Sequence, residues 1–153
     1  MATISETSKL YPPQLAKETQ QALTAVQLFD FQKTAIDGSA GAATAETVVG
    51  ATGAAGVIGQ VLYTPAAALT SSDTDYATIT LYKRTAGGSA VAIASATTKT
   101  SGGGGTGNWT AWSPVAIAVS AGSVAAGDAL TFAITKSGSG VAVPAGVLSG
   151  FLA

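Results

Sequence analysis

Histidine and cysteine are both missing from the 153 residues, so any chemistry must come from carboxylates, lysines, tyrosines and hydroxyls. Ser-His-Asp and Cys-His constellations cannot be assembled. Zinc sites made from those ligands are equally excluded. Glycoside hydrolysis needs only two carboxylates, and the β-rich part of the chain offers Glu46, Asp73, Asp75 and Asp128. Asp73 and Asp75 stand in Ser71-Ser72-Asp73-Thr74-Asp75, a run in which short polar side chains cap turn backbone. An oxygen-ligand calcium site on the same pair is the alternative, and it would require carbonyl ligands as well. None of the glycine runs ends in Gly-Lys-Ser/Thr, so no phosphate loop is formed. Gly102–Gly107 reads as a flexible loop. Asn108-Trp109-Thr110 matches a glycosylation sequon, and with no secretory signal at the start of this sequence the match is expected to be accidental. The chain is expected to be no enzyme, with no metal and no cofactor.

The two tryptophans carry more information than the carboxylates. Trp109 and Trp112, three residues apart on a strand, would point to opposite faces. One is then a plug of the core or of an interface, and the other lies on the surface or in a subunit contact. A platform for stacking a sugar is the competing use of such a planar ring.

Composition narrows the partner. Charged residues make up 10% of the chain, against roughly 25% in an ordinary soluble domain. Seven basic and eight acidic residues give a net charge of −1 with no basic patch, so nucleic acid has nothing to bind. The hydrophobic fraction is 47%, but much of it is alanine, which buries little area. A thin sandwich fits this inventory, and a thin core gains from neighbours. Self-association, as a homotrimer, is expected. No run of about 18 apolar residues marks a membrane span. The start Met1-Ala2-Thr3-Ile4-Ser5-Glu6 lacks the basic and apolar regions of a signal peptide, so the chain is expected to be made in the cytoplasm and to be soluble.

Two zones position these residues. Residues 1–45 read as an N-terminal arm and linker. Pro12-Pro13 can open a helix, and Leu15, Thr19, Ala22, Leu23 and Val26 share one helical face. Leu28, Phe29 and Phe31 follow in a stretch that could be extended. This zone either packs on its own domain or lies along a partner. Residues 46–153 read as a β-sandwich domain, with a short strand at Thr47–Val49. Val57–Tyr63, Tyr76–Arg84, Val91–Thr98, Trp109–Ser113, Val115–Val119, Ala129–Lys136, Val141–Pro144 and Val147–Phe151 complete the set. Tyr76–Arg84 places Ala77, Ile79, Leu81 and Lys83 on one face; Ala129–Lys136 places Leu130, Phe132 and Ile134 on a buried one. No helical period separates the strands, which disfavours a parallel α/β sheet. The expected fold is all-β, an antiparallel, jelly-roll-like sandwich with an extended or part-helical arm.

Four segments carry a resemblance: Asp75–Arg84 (DYATITLYKR), Gly107–Ile117 (GNWTAWSPVAI), Val124–Leu130 (VAAGDAL) and Gly138–Pro144 (GSGVAVP). Together they resemble the head decoration (cement) proteins of tailed bacteriophages and the related β-sandwich domains of head and tail fibres. The resemblance covers about half of the chain and implies a virion protein on the outer capsid surface that clamps neighbouring major capsid subunits, often as a trimer. It fits a partner surface made of Leu10, Tyr11, Leu15, Leu23, Val26, Phe29, Phe31, Trp109 and Trp112. A fibre or receptor-binding domain that recognises host carbohydrate is the first alternative. A bacterial adhesion module and a weak hydrolase on Asp73, Asp75 or Asp128 are the others.

Overall fold

A computed structural model of the chain describes residues 27–33, 46–138 and 141–153. Among them are nine strands and no helix: β1 (Gln27–Lys33), β2 (Thr47–Ala51), β3 (Gly56–Pro65), β4 (Tyr76–Arg84), β5 (Val91–Thr97), β6 (Val115–Val119), β7 (Ser123–Val124), β8 (Ala129–Ser137) and β9 (Gly146–Leu152). They pair antiparallel in the order β1-β9-β3-β6-β5-β4-β8-β2, with β7 added to β3. The all-β, antiparallel sandwich-like fold expected from the two-residue period is present. The proposed helix over Pro12–Val26 lies outside the described residues.

One strand joins the two halves. Val115, Ala116 and Ile117 of β6 pair with Tyr63, Leu62 and Val61 of β3, whereas Ala118 and Val119 pair with Ser95 and Ala94 of β5. A strand that changes partner along its length turns a corner between sheets. At the far margins β1 and β2 come alongside each other. The apolar core lies between the halves. Ile58, Val61, Tyr63 and Leu148 from one side face Ile79, Leu81, Ile93, Leu130, Phe132 and Ile134 from the other.

The pleat decides which side chains enter that core, since alternate residues face alternate sides. On β4, Ala77, Ile79 and Leu81 are the inward set. On β8, Leu130, Phe132 and Ile134 are inward, and Lys136 takes the next inward position, only 8% exposed. On β3 the inward residues are Ile58, Val61 and Tyr63, and the step from Ile58 to Val61 is one residue too long for strict alternation. The β3–β9 register slips between Ile58 and Gln60, and this bulge absorbs the extra residue. Gly59 sits in it, where a Cβ would come within 2.6 Å of the Ala153 Cβ.

Two expected strands are absent. Trp109–Ser113 is not extended: Trp109 makes an isolated bridge to Leu69, and Thr110–Ser113 is a turn closed by the Ser113 amide on the Thr110 carbonyl at 3.2 Å. Pro114 lacks the N–H that a strand ladder requires, so the ladder begins only at Val115. Val141–Pro144 is likewise not a strand, although Val143 is fully buried. Phe29 and Phe31, within the stretch read as arm and linker, stand on β1 opposite Gly150 and Leu148 of β9.

Glu46 anchors the start of β2 to the sheet. Its carboxylate accepts from Arg84 Nε at 2.8 Å and Nη2 at 2.6 Å, and from the Thr131 hydroxyl. Two parallel N–H donors matched to two carboxylate oxygens make a strong, oriented pair. The Arg84 hydrogen bonds and the Thr131 hydroxyl hold this carboxyl down at about 2, from an ordinary 4.5. A carboxyl depressed on folding adds stability that is complete above about pH 4.5 and lost as pH falls through about 2. Melting temperatures should therefore fall more steeply between pH 5 and pH 2 in the wild type than in Glu46→Gln. The two profiles should converge at the acid end. Parallel profiles over that range would show that the pair contributes nothing to folding.

Candidate functional site

The sandwich has two distinct ends. At one end lie Gln27 of β1, Val57 of β3, Val91 of β5 and Leu152 of β9. At the other, Pro65, Gly146 and Lys33 meet the three long connections 66–75, 98–114 and 138–145. Most of the residues singled out for chemistry sit at this second, loop-bearing end.

Buried aromatics close it. Trp109 is 2% exposed and packs against Tyr63, with ring centroids 5.5 Å apart and planes tilted by 49°. Its amide and carbonyl are paired with Leu69. Its indole N–H donates to the Thr106 hydroxyl at 2.8 Å, which donates in turn to the Thr97 carbonyl at 2.8 Å. The Tyr63 hydroxyl donates to the Pro144 carbonyl at 2.6 Å, and burial pushes its pKa up. The two rings thereby tie all three connections to the core. Gly146 is needed here, because a Cβ would lie 2.9 Å from the Tyr63 ring. Trp109 is thus a core residue and is closed to any partner of the folded protein, which corrects its place among the contact candidates.

Trp112 is its opposite. Three residues later, its side chain is 75% exposed. Its φ of 63° makes it the non-glycine residue with positive φ among the described residues. The third position of such a turn ordinarily belongs to glycine or asparagine. A bulky residue in that region costs about 1–3 kcal/mol. The Trp112 amide donates to the Pro65 carbonyl at 2.8 Å, so the ring is presented from an anchored turn. The expected division of the tryptophans, one inside and one outside, is observed. Its basis is a tight turn, not the parity of a strand.

Beside that turn runs an open groove of about 400 Å³, whose lining includes Thr106, Asn108, Thr110, Ser113, Pro114 and Val115. No ionisable side chain lines it. The Asn108 side-chain carbonyl accepts both the Ser71 amide and the Ser71 hydroxyl, each at 2.9 Å. The amide donor fixes the orientation of the Asn108 group, since only the oxygen can accept.

The carboxylates are occupied by structure. Asp73 accepts the Thr100 and Ser101 amides at 3.0 and 3.2 Å and the Ser101 hydroxyl at 3.2 Å. The Ser101 amide foremost holds its carboxyl below the usual range. It caps the glycine-rich connection, not its own turn. That connection, read as flexible, is instead pinned. Thr106 and Gly107 donate from it to the Thr97 and Lys99 carbonyls, and the Thr97 amide donates to the Gly104 carbonyl. Asp75 accepts the Thr74 hydroxyl at 3.3 Å, and its own amide donates to Ser72 Oγ at 3.0 Å. Asp128, 1% exposed, accepts the Ala125 amide and the Thr85 hydroxyl at 2.8 Å each. The Ala125 amide foremost lowers its pKa. These contacts close the Ala125–Asp128 turn at the far end from Asp73. Among the described residues no group of three His, Cys, Asp or Glu side chains is placed to hold a metal, and no helix is long and apolar enough to cross a membrane.

Of the remaining contact candidates, Leu10, Tyr11, Leu15, Leu23 and Val26 lie outside the described residues. Phe29 and Phe31 belong to β1. The groove beside Trp112 has no signature in the sequence, because Ser71 and Asn108 meet across 37 positions. No family model, curated protein or solved structure matches the chain.

Proposed function

We propose that this chain is a non-catalytic structural module, a decoration protein that binds the outer surface of a tailed-phage capsid and stabilises contacts between major capsid subunits. The observation that carries this reading is the use of the sandwich carboxylates. Glu46, Asp73 and Asp128 are each committed to an arginine or to backbone amides, in a chain without histidine or cysteine. What such a chain can offer is surface.

Two features favour the Gln27 end as the surface applied to the shell. Val57 and Val91, two of its exposed large aliphatics, lie there. Residues 1–26, which carry Leu10, Tyr11, Leu15, Leu23 and Val26, join the sheet at the same end, through β1. Copies arranged on a lattice would add avidity without strong single contacts, and self-association as a trimer would enlarge the thin core's buried area. The test is co-sedimentation of the purified chain with empty expanded capsids, together with capsid melting. The chain should pellet with shells and raise their melting temperature. Failure to bind at several-fold excess over capsid subunits, or binding that leaves melting unchanged, removes this function. Solution mass measurement should give trimers, or the shell should carry touching copies; isolated monomers on the shell would refute self-association.

A further inference from the structure

We propose that the loop-bearing end holds a binding site for a neutral saccharide, with Trp112 as the stacking platform and the adjoining groove supplying its hydrogen bonds. Three observations converge there. Trp112 is 75% exposed on a backbone that disfavours any side chain, and strain of that kind persists where the presentation of the side chain matters. Its turn is fixed to Pro65, so the ring is held in place before a ligand arrives, which limits the entropy lost on binding. The groove is lined by Thr110 and Ser113, the first and last residues of the Trp112 turn, and by Asn108, with no ionisable side chain in the lining.

That combination selects one ligand chemistry. An anionic ligand would need a cation in the groove, and an apolar ligand would leave these hydroxyls and amides unpaired. A neutral sugar ring offers an apolar C–H face for the indole and hydroxyls for the rim. Asn108 is fitted to bind those hydroxyls. Ser71 takes its carbonyl oxygen, and its NH2 donors carry no hydrogen bond among the described residues. The site faces away from the Gln27 end, so a copy seated on a shell by that end would hold it outward. Saccharide binding itself does not rest on the capsid reading.

The experiment uses the full chain and a panel of neutral hexasaccharides of the glucose, mannose, galactose and N-acetylglucosamine series, with oligogalacturonate as the anionic control. Binding is read by calorimetry and by indole fluorescence, in which Trp112 is the exposed reporter. At least one neutral series should saturate by about 10 mM. Trp112→Gly, which relieves the backbone, should keep or raise the melting temperature yet weaken binding at least about tenfold. Trp112→Tyr should retain most of it. Asn108→Asp keeps the acceptor for Ser71 but removes the NH2 donors, and should also weaken binding. Shell co-sedimentation of Trp112→Gly separates a saccharide platform from a protein contact. No binding by any neutral series, equal binding by Trp112→Gly and wild type, or a preference for oligogalacturonate overturns the proposal. Loss of shell binding in Trp112→Gly would make Trp112 a protein contact and overturn it as well.

Discussion

Trp109→Ala is expected to lower the stability of the protein by about 3–5 kcal/mol, the range for deleting a buried tryptophan. The ring is 2% exposed and lies against Tyr63, so truncation opens a cavity at the end of the sandwich and removes an aromatic partner. The donor to Thr106 is lost with it, in a chain of hydrogen bonds that continues to Thr97. Trp109→Phe keeps most of the packing and loses the N–H, and should cost less, with the hydrogen bond alone worth about 0.5–1.5 kcal/mol. Total stabilities of single domains run to about 5–15 kcal/mol, so the alanine variant sacrifices roughly a fifth or more. Urea unfolding of Trp109→Ala, Trp109→Phe and Trp112→Gly beside wild type measures the series. The expected order is Trp109→Ala below Trp109→Phe, with Trp112→Gly at or above wild type. A Trp109→Ala variant within about 1 kcal/mol of wild type would show that the loop-bearing end is not held by this plug.

What the sequence made legible was whatever depends on nearest neighbours along a strand. In Tyr76–Arg84 and Ala129–Lys136 every inward large residue follows from alternation alone, because both strands are internal and pair on each side. Alternation fails in β3, where the bulge between Ile58 and Gln60 shifts the phase. Nothing local in Gly56–Pro65 announces that shift except Gly59. The two tryptophans divide as parity predicts although no strand is there. Pro114 stops the ladder, and Trp112 faces solvent because a turn carries it. Asp73 has the local setting of a cap for its own turn, yet its partners lie 27 and 28 positions away. The same long-range contact converts the glycine run from a flexible loop into a pinned one. Contacts of that separation decide the whole loop-bearing end, which is why the groove beside Trp112 could not be read from spacing.

Residues 1–45, read as arm and linker, contain β1 (Gln27–Lys33), and its place there shapes the test of how the shell is bound. A chain lacking residues 1–26 keeps the nine strands of the described residues and should fold as the full chain does. It should lose Leu10, Tyr11, Leu15, Leu23 and Val26 as anchors. Each such side chain is worth roughly 1.5–3 kcal/mol when buried, so loss of even two should weaken shell binding by about two orders of magnitude or more. A chain lacking residues 1–37 also loses β1, whose partners run from Phe151 to Gly146 of β9. The bared edge of β9 should lower the melting temperature and invite edge-to-edge association, an effect separate from shell binding. Point variants follow the same line: Leu23→Asp should impair shell binding with the fold intact, while Phe29→Asp acts within the sheet and should impair stability. Circular dichroism, melting and capsid co-sedimentation on both truncations decide between the readings. If the chain lacking residues 1–26 unfolds, that segment packs on its own sandwich. If it folds and binds shells at full strength, the arm has no part in binding, and the contact must be sought on the sandwich itself, beginning with Val57 and Val91.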